Sequence, residues 1–250
     1  MTPVRIALLT DIHANREAFA ACLAHAERAQ PERYAFLGDL IGYGADPGWV
    51  IDTVMSYAQR GAICVLGNHD EAVFKPPRAS MQPDARRVVE WTRAQLNPRQ
   101  IGFLATLPLQ VEDGECLYVH ANAWAPGQWE YITGAFDARS SMAATRARFT
   151  FCGHVHEPAL YNMGGDWRAA AFKPIAGTAI PLGTQRRWLA IPGAVGQPRD
   201  GVLAACYAMF DADRGNLTFF RVPYDVDTAA AKVRAAGLPE ELAARLEQAR

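Results

Sequence analysis

The stretch VRIALLTDIHAN, residues 4 to 15, decides the fold. An apolar, strand-like run ends abruptly in Asp11 and, two residues on, His13. A turn alone explains such an ending, because an Asp side chain hydrogen-bonds nearby backbone. A strand end is also a rigid mount for ligands, and α/β sheets gather them at the carboxyl ends of their strands. The pattern recurs: RYAFL (33–37) runs into GDLIGYGADP (38–47), and AICVL (62–66) into GNHDEAVF (67–74). Between these runs lie REAFAACLAHAERA, with helical apolar spacing, and PGWVIDTVMSYAQRG, opened by Pro47 and ended by Gly61. Strand, helix, strand, helix, strand predicts right-handed βαβ units and a mostly parallel sheet. All three polar loops then emerge at one sheet edge.

Further along, DARRVVEWTRAQLNPRQIGFLATLP (84–108) reads as two helices broken at Asn97-Pro98. After it the texture changes to short strands between Gly- and Pro-rich turns: GECLYVH, RFTFCGHVH, WLAIPGA, then LAACYAMFD and GNLTFFRVPY as a hairpin around DADRGN. These later strands are expected to form a second, more antiparallel sheet stacked on the first. The tail DTAAAKVRAAGLPEELAARLEQAR, from about 227 to 250, reads as two helices separated by Gly-Leu-Pro. With no repeat and no linker composition, residues 1–250 are expected to form one domain.

Half the residues are hydrophobic, a fifth are charged, and the net charge is −1, an ordinary globular balance that draws the chain neither to long nucleic acid nor to an anionic membrane. No apolar run approaches the ~20 residues of a membrane span, and MTPVRIALLT is too short, with Arg5 inside it, for a signal sequence. Five single cysteines without CxxC spacing predict reduced, buried thiols and a cytoplasmic protein.

The polar residues at strand ends make a set. They are Asp11, His13, Asp39, Asn68, His69, His120 after CLYV, and His154 and His156 in CGHVH; of six histidines only His25 is left over. Carboxylate, amide and imidazole donors suit Mn²⁺, Fe²⁺ or Zn²⁺. Two ions about 3.5–4 Å apart need a ligand that spans both, which a carboxylate such as Asp39 does. Gly38, Gly67 and Gly153, each just before a candidate ligand, relieve crowding there.

DIH, GD, GNHD, a lone His after a strand, and GHVH, in that order across residues 11–156, resemble the calcineurin-like metallophosphoesterase superfamily. The later IPGAVGQPRDG resembles a segment of a bacterial subgroup of that superfamily. The resemblance implies an α/β fold, a four-layer αββα sandwich of two stacked mixed sheets flanked by helices. It implies two divalent ions, Mn²⁺ foremost with Fe, Zn, Co or Ni as alternatives. One ion would be held by Asp11, His13, Asp39 and His156, the other by Asp39, Asn68, His120 and His154, with a bridging hydroxide as nucleophile. His69 is the expected general acid; Asp70 either orients it or caps the helix that follows.

The implied activity is hydrolysis of a small phosphodiester or phosphoanhydride, such as a dinucleoside polyphosphate or a cyclic or aryl diester. The alternative is a non-catalytic scaffold or nucleotide-binding regulator on the same fold, against which stand the filled ligand positions and the intact His69. Three departures from the family pattern stand out. GDLIGYG lacks the second Asp and the Arg of the protein Ser/Thr phosphatases. HANAW replaces the subgroup's HGSPR, so an Arg is missing after His120, and Ile191 and Ala194 replace the Asn and Ser of NPGS. Arg199 either reaches a substrate phosphate or pairs with Asp200 or Asp211. Trp124, with Trp129 and Tyr131, either forms an aromatic wall able to stack a base or is simple cover.

Overall fold

The computed structural model describes residues 5–76 and 83–250. β1 (Arg5–Leu9), β2 (Arg33–Phe36) and β3 (Ile63–Cys64) pair in parallel, with Ile6 opposite Arg33 and Ala35 opposite Ile63. The crossovers are α1 (Arg16–Arg28) and α2 (Pro47–Ala58). Asn15 caps α1 by accepting from Ala18 N at 3.1 Å, while its amide donates to Gly196 O at 2.9 Å. One cap thus starts a helix and ties the first ligand loop to a segment 181 residues away.

Next come α3 (Asn68–Ala72), α4 (Pro83–Gln95) and α5 (Pro98–Thr106). The break at Asn97-Pro98 is a capping box: Asn97 Oδ1 accepts from Gln100 N and Gln100 Oε1 from Asn97 N, each at 3.0 Å. Then follow β4 (Gln110–Asp113), β5 (Cys116–Val119), α6 (Ala135–Ala143), β6 (Phe149–Phe151), β7 (Ala159–Met163), β8 (Ala169–Phe172), β9 (Ala179–Pro181), β10 (Arg187–Ile191), β11 (Ala205–Asp211) and β12 (Asn216–Val222). The chain closes with α7 (Val226–Ala235) and α8 (Glu240–Gln248).

One sheet has the order β3-β2-β1-β11-β12-β9 and the other β4-β5-β6-β10-β7-β8. This corrects one expectation. The β11–β12 hairpin does form, but it joins the first sheet: β11 runs antiparallel beside β1, with Ala7 opposite Met209. The hairpin's sequence reports that its strands are buried; it does not say which sheet edge they complete.

Strand alternation builds the layers. On β1, Ile6 and Leu8 face one cluster with Tyr118, Phe149, Phe151 and Phe210, between the sheets. Ala7 and Leu9 face the opposite cluster, with Phe19, Cys22, Ile51 and Val54 of α1 and α2. On β5, Tyr118 points inward, while Leu117 and Val119 pack outward with Ala138 and Met142 of α6. The result is helices, sheet, sheet, helix, as the resemblance implies. Because both sheets are covered on both faces, their central strands read as continuous apolar runs.

The C-terminal helices pack against α4 through Ala230, Val233, Leu242, Leu246 and Val88, with Tyr43 and Trp91 against the same cluster. Lys232 Nζ reaches both Glu17 and Asp46, 2.5 and 2.8 Å away, tying α7 to the starts of α1 and α2. No helix among the described residues is long and apolar enough to cross a membrane. All five cysteines are buried and free of disulfides.

Candidate metal centre

The sheets bring five loops to one place. Asp11 and His13 follow β1, Asp39 follows β2, Asn68 opens α3, His120 follows β5, and His154 and His156 follow β6. Backbone bonds lock these loops together: Asp11 N to Gly38 O at 3.1 Å, His13 N to Asp39 O at 3.0 Å, Gly153 N to His120 O at 2.8 Å, and Gly196 N to Asp11 O at 2.8 Å. Two glycines permit the approach. A Cβ on Gly67 would overlap the Asp39 backbone nitrogen and carboxylate, and one on Gly153 would overlap Thr10 Oγ1.

Asp11, His13, Asp39, His154 and His156 all have positive φ, between 48° and 69°. The left-handed region costs non-glycine residues about 1–2 kcal/mol each, and its concentration at five of the residues singled out from sequence is typical of a functional site.

Six of the seven candidate ligand side chains are buried and Asn68 partly so. They fall into overlapping groups, Asp11–His13–His156 and Asp39–His120–His154, with His13–Asp39–His69 between them. His13 Nε2 lies 3.1 Å from His156 Nε2, and His156 Nε2 3.3 Å from Asp11 Oδ1. On the other side, His120 Nε2 lies 3.2 Å from His154 Nδ1 and 3.3 Å from both Asn68 Oδ1 and Asp39 Oδ2. Asp39 Oδ2 is also 3.8 Å from His13 Nε2, so one oxygen faces both groups. Its partner Oδ1 accepts from His69 N at 2.9 Å.

The far nitrogen of each imidazole is tied to a carbonyl: His13 Nδ1 to Ile41 O (3.2 Å), His120 Nδ1 to Leu37 O (2.8 Å), His154 Nε2 to Trp129 O (3.0 Å) and His156 Nδ1 to Gln197 O (2.7 Å). A carbonyl only accepts, so each far nitrogen carries the hydrogen and each near nitrogen presents a lone pair. Lone pairs facing each other at about 3 Å repel unless a proton or a cation lies among them. Backbone-anchored imidazoles with inward lone pairs are the outer support expected of a metal site, so the residues fit divalent ions on their own geometry.

Electrostatics agree for three of the four imidazoles, and at His120 a proton takes the place of a cation. Burial pushes His13 and His156 well below the usual imidazole range, and burial followed by the charge of His120 takes His154 down to about 3. Burial opposes charge on His120 too, but Asp39 outweighs it and raises His120 to about 9. Asp11 rises to about 7 through burial, with Asp39 adding repulsion. Against its own burial, Asp39 is held well below the carboxylate range by His120 and His69.

The remaining expectations separate. His69 is partly buried, with its ring edge-on to His13 at 5.0 Å. Asp70 makes no bond to it. Its Oδ1 accepts from Leu40 N and Ile41 N (2.9 and 3.2 Å) and Oδ2 from Gly67 N (3.0 Å), so it closes the α3 cap and clamps two ligand loops. Arg199 pairs with neither Asp200, which Arg221 engages, nor Asp211, which sits by Arg214; it donates to Gln197 Oε1 at 3.1 Å. Its charge bears on His13, His69 and His156.

Trp124 is not on the cleft. It packs against the outer-face cluster and donates to Glu130 at 3.0 Å, because Asn122, bonded to Ala125 N and Glu130 O, turns the loop after His120 back on itself. The cleft aromatics are Trp129, whose carbonyl holds His154, and Tyr131, stacked on the His154 ring at 4.0 Å. Sequence reading missed Tyr43, whose ring lies 4.5 Å from His13 and 4.4 Å from His69. The signal was the GYG in its loop: Gly42, with φ of 86°, sits where a Cβ would strike His69.

A profile of the calcineurin-like phosphoesterase superfamily domain matches residues 4–215. The chain belongs to that superfamily. Phosphoester hydrolysis is the chemistry of this family of metallophosphoesterases. The chain is 35% identical to a metallophosphoesterase from Sphaerobacter thermophilus, whose crystal structure superposes with a TM-score of 0.89 over 100% of both chains. It is 31% identical, over 98% of each chain, to an uncharacterized protein of Methanocaldococcus jannaschii. A hypothetical protein from Pyrococcus horikoshii shares the fold at 19% identity, with a TM-score of 0.78 over 97% of both chains.

Proposed function

We propose that the protein hydrolyses a small phosphodiester or phosphoanhydride at a centre of two divalent ions, one held by Asp11, His13, Asp39 and His156 and the other by Asp39, Asn68, His120 and His154. The observation that carries this reading is the set of inward lone pairs with every far imidazole nitrogen anchored on backbone. When bound, such ions would lower the pKa of a coordinated water and offset the charge of the phosphate oxygens. Mn²⁺ is the proposed metal, since an oxygen and nitrogen donor set without thiolate suits it.

The chain's own groups do the rest. His69, partly exposed beside the centre, donates its proton to the leaving oxygen. Burial lowers its pKa, and a bound phosphate raises it again by charge. Arg199, without a carboxylate partner among the described residues, holds a phosphoryl oxygen. A cleft of about 650 Å³ opens beside Asn68 and His154, walled by Trp129, Tyr131, Glu71 and Lys75. That volume suits a ligand of nucleotide size, and the half-exposed Tyr131 ring offers a face on which a base or aryl leaving group stacks. Cytoplasmic residence belongs to the same proposal, since five free, buried thiols suit a reducing compartment.

Metal-stripped protein reloaded with Mn²⁺ or other divalent ions, and assayed on bis- and mono-p-nitrophenyl phosphate, tests the proposal. Metal-dependent cleavage of the diester, abolished in Asp39→Asn and reduced in His69→Ala, supports it. Two ions bound per chain with no turnover on either substrate, nor on dinucleotides, overturns it.

A further inference from the structure

At the sheet edge opposite the metal loops, a second cavity of about 360 Å³ lies among the entry to β6, the entry to β10 and the β7–β8 turn. Five-residue β10 separates it from the ligand loops by roughly 15 Å at ~3.3 Å per residue. Four arginines line it, Arg146, Arg148, Arg186 and Arg187, beside Trp167 and without any carboxylate. Asp166, on the same turn, lines an adjoining cavity that shares Gly164, Gly165, Gln185 and Arg186 with this one, and it accepts from Arg168 N.

The charges there are poorly offset. Arg187 donates to two carbonyls, Met142 O and Thr145 O, both at 2.7 Å, and Arg186 to the amide oxygen of Asn162 at 2.6 Å; these partners are neutral. Arg148 lies over the Phe149 ring and reaches Glu115 at 3.3 Å, but its buried Nε has no partner. Arg146 is exposed, and among the described residues its side chain has no hydrogen bond or ion pair. Among the described residues only Arg148 of the four has a carboxylate partner, so the like charges are incompletely offset and an anion relieves the remaining repulsion. Trp167 is 55% exposed, with φ of 59°, so a strained backbone presents a large aromatic face to solvent. Guanidinium forks match phosphate oxygens, and an exposed indole stacks on a base.

We propose that this cavity is a second ligand site, distinct from the metal centre, that takes a small phosphorylated compound carrying an aromatic ring, of the nucleoside monophosphate class. Arg146 and Arg148 engage the phosphate; Trp167 stacks on the ring; Arg186 and Arg187, fixed by their neutral partners, set the positive floor. The inference does not depend on the hydrolytic reading.

The test is calorimetric titration of metal-stripped, full-length protein with AMP, adenosine and inorganic phosphate. The variants are Arg146→Glu and Trp167→Ala, with Tyr131→Ala in the metal-site cleft as the reference. Both test side chains are exposed and make no hydrogen bond or ion pair among the described residues, so these variants retain the fold. AMP should bind more tightly than either phosphate or adenosine, weaken with salt as exposed charge pairs do, lose about tenfold in each test variant, and be unchanged in Tyr131→Ala. The proposal is overturned by no saturable AMP binding up to about 1 mM, by adenosine binding as well as AMP, or by binding lost in Tyr131→Ala and retained in Arg146→Glu.

Discussion

Asp70→Ala is the most informative single change, because Asp70 touches no candidate ligand side chain yet holds the segments on which Asp39 and Asn68 sit. Its buried carboxylate accepts from Leu40 N, Ile41 N and Gly67 N. Removing it orphans three donors, each at about 1–3 kcal/mol. Part of that loss is returned, since burial, with repulsion from Asp39, raises the Asp70 pKa to about 7 and makes its charge unfavourable there. The net cost therefore sits near the low end, about 3 kcal/mol, and at ~2–4 °C per kcal/mol for a chain of this size Tm falls by roughly 6–12 °C.

The assays are thermal unfolding with and without Mn²⁺, and Mn²⁺ affinity by calorimetry. Metal affinity should fall at least about tenfold, the range for loss of groups that orient ligands. Asp70→Asn, which keeps the shape and part of the acceptor set, should lie between. Wild-type Tm and metal affinity in Asp70→Ala would refute the clamp. An altered pH–rate profile at unchanged stability would reinstate Asp70 as the residue that orients His69.

Other outcomes follow from the same geometry. Asp39→Asn, altering the one carboxylate whose Oδ2 faces both ligand groups, should leave at most one ion per chain by metal analysis and lower diester turnover at least about a thousandfold. Arg199→Ala should raise KM about tenfold with kcat little changed, if its guanidinium binds ground state and transition state alike; a change in kcat alone would contradict that role. Metal affinity should rise between pH 6 and 8. Asp11 at about 7 and His120 at about 9 lie above their ordinary values, so the metal-free chain carries protons there that an ion must displace. Calorimetry in buffers of differing ionisation enthalpy reads the released protons, and a pH-independent affinity would refute the argument. Tyr131→Ala should weaken nucleotide-containing substrates about tenfold, while Trp124→Ala, away from the cleft, should leave their KM unchanged.

Most of the candidate site was legible in sequence, because each candidate ligand stands immediately after an apolar run or at the start of the helix behind one. A strand buried on both faces is apolar throughout, so a polar residue at its end is conspicuous. The βαβ start was legible for a related reason, since its helices carry apolar spacing in sequence and α2 opens at Pro47. Less visible were β4, β8 and β9, which lie mostly exposed. Their pairing comes from backbone bonds to a neighbour, which leave little trace in side-chain pattern.

By itself, then, the sequence pointed to the βαβ start, the later hairpin, the candidate donor set and the family. Tertiary structure decided what depends on direction and distance. It set β11 beside β1, because an open sheet edge accepts any buried strand of suitable register. It turned Trp124 away and brought Tyr131 onto His154, through the bonds of Asn122 to its own loop. It fixed which nitrogen of each imidazole faces the centre, because the carbonyls that hold the other nitrogen belong to Leu37, Ile41, Trp129 and Gln197. Sequence spacing encodes which face of an element a residue occupies. Only the packed chain brings together groups from distant loops, and in this centre the chemistry lies in those meetings.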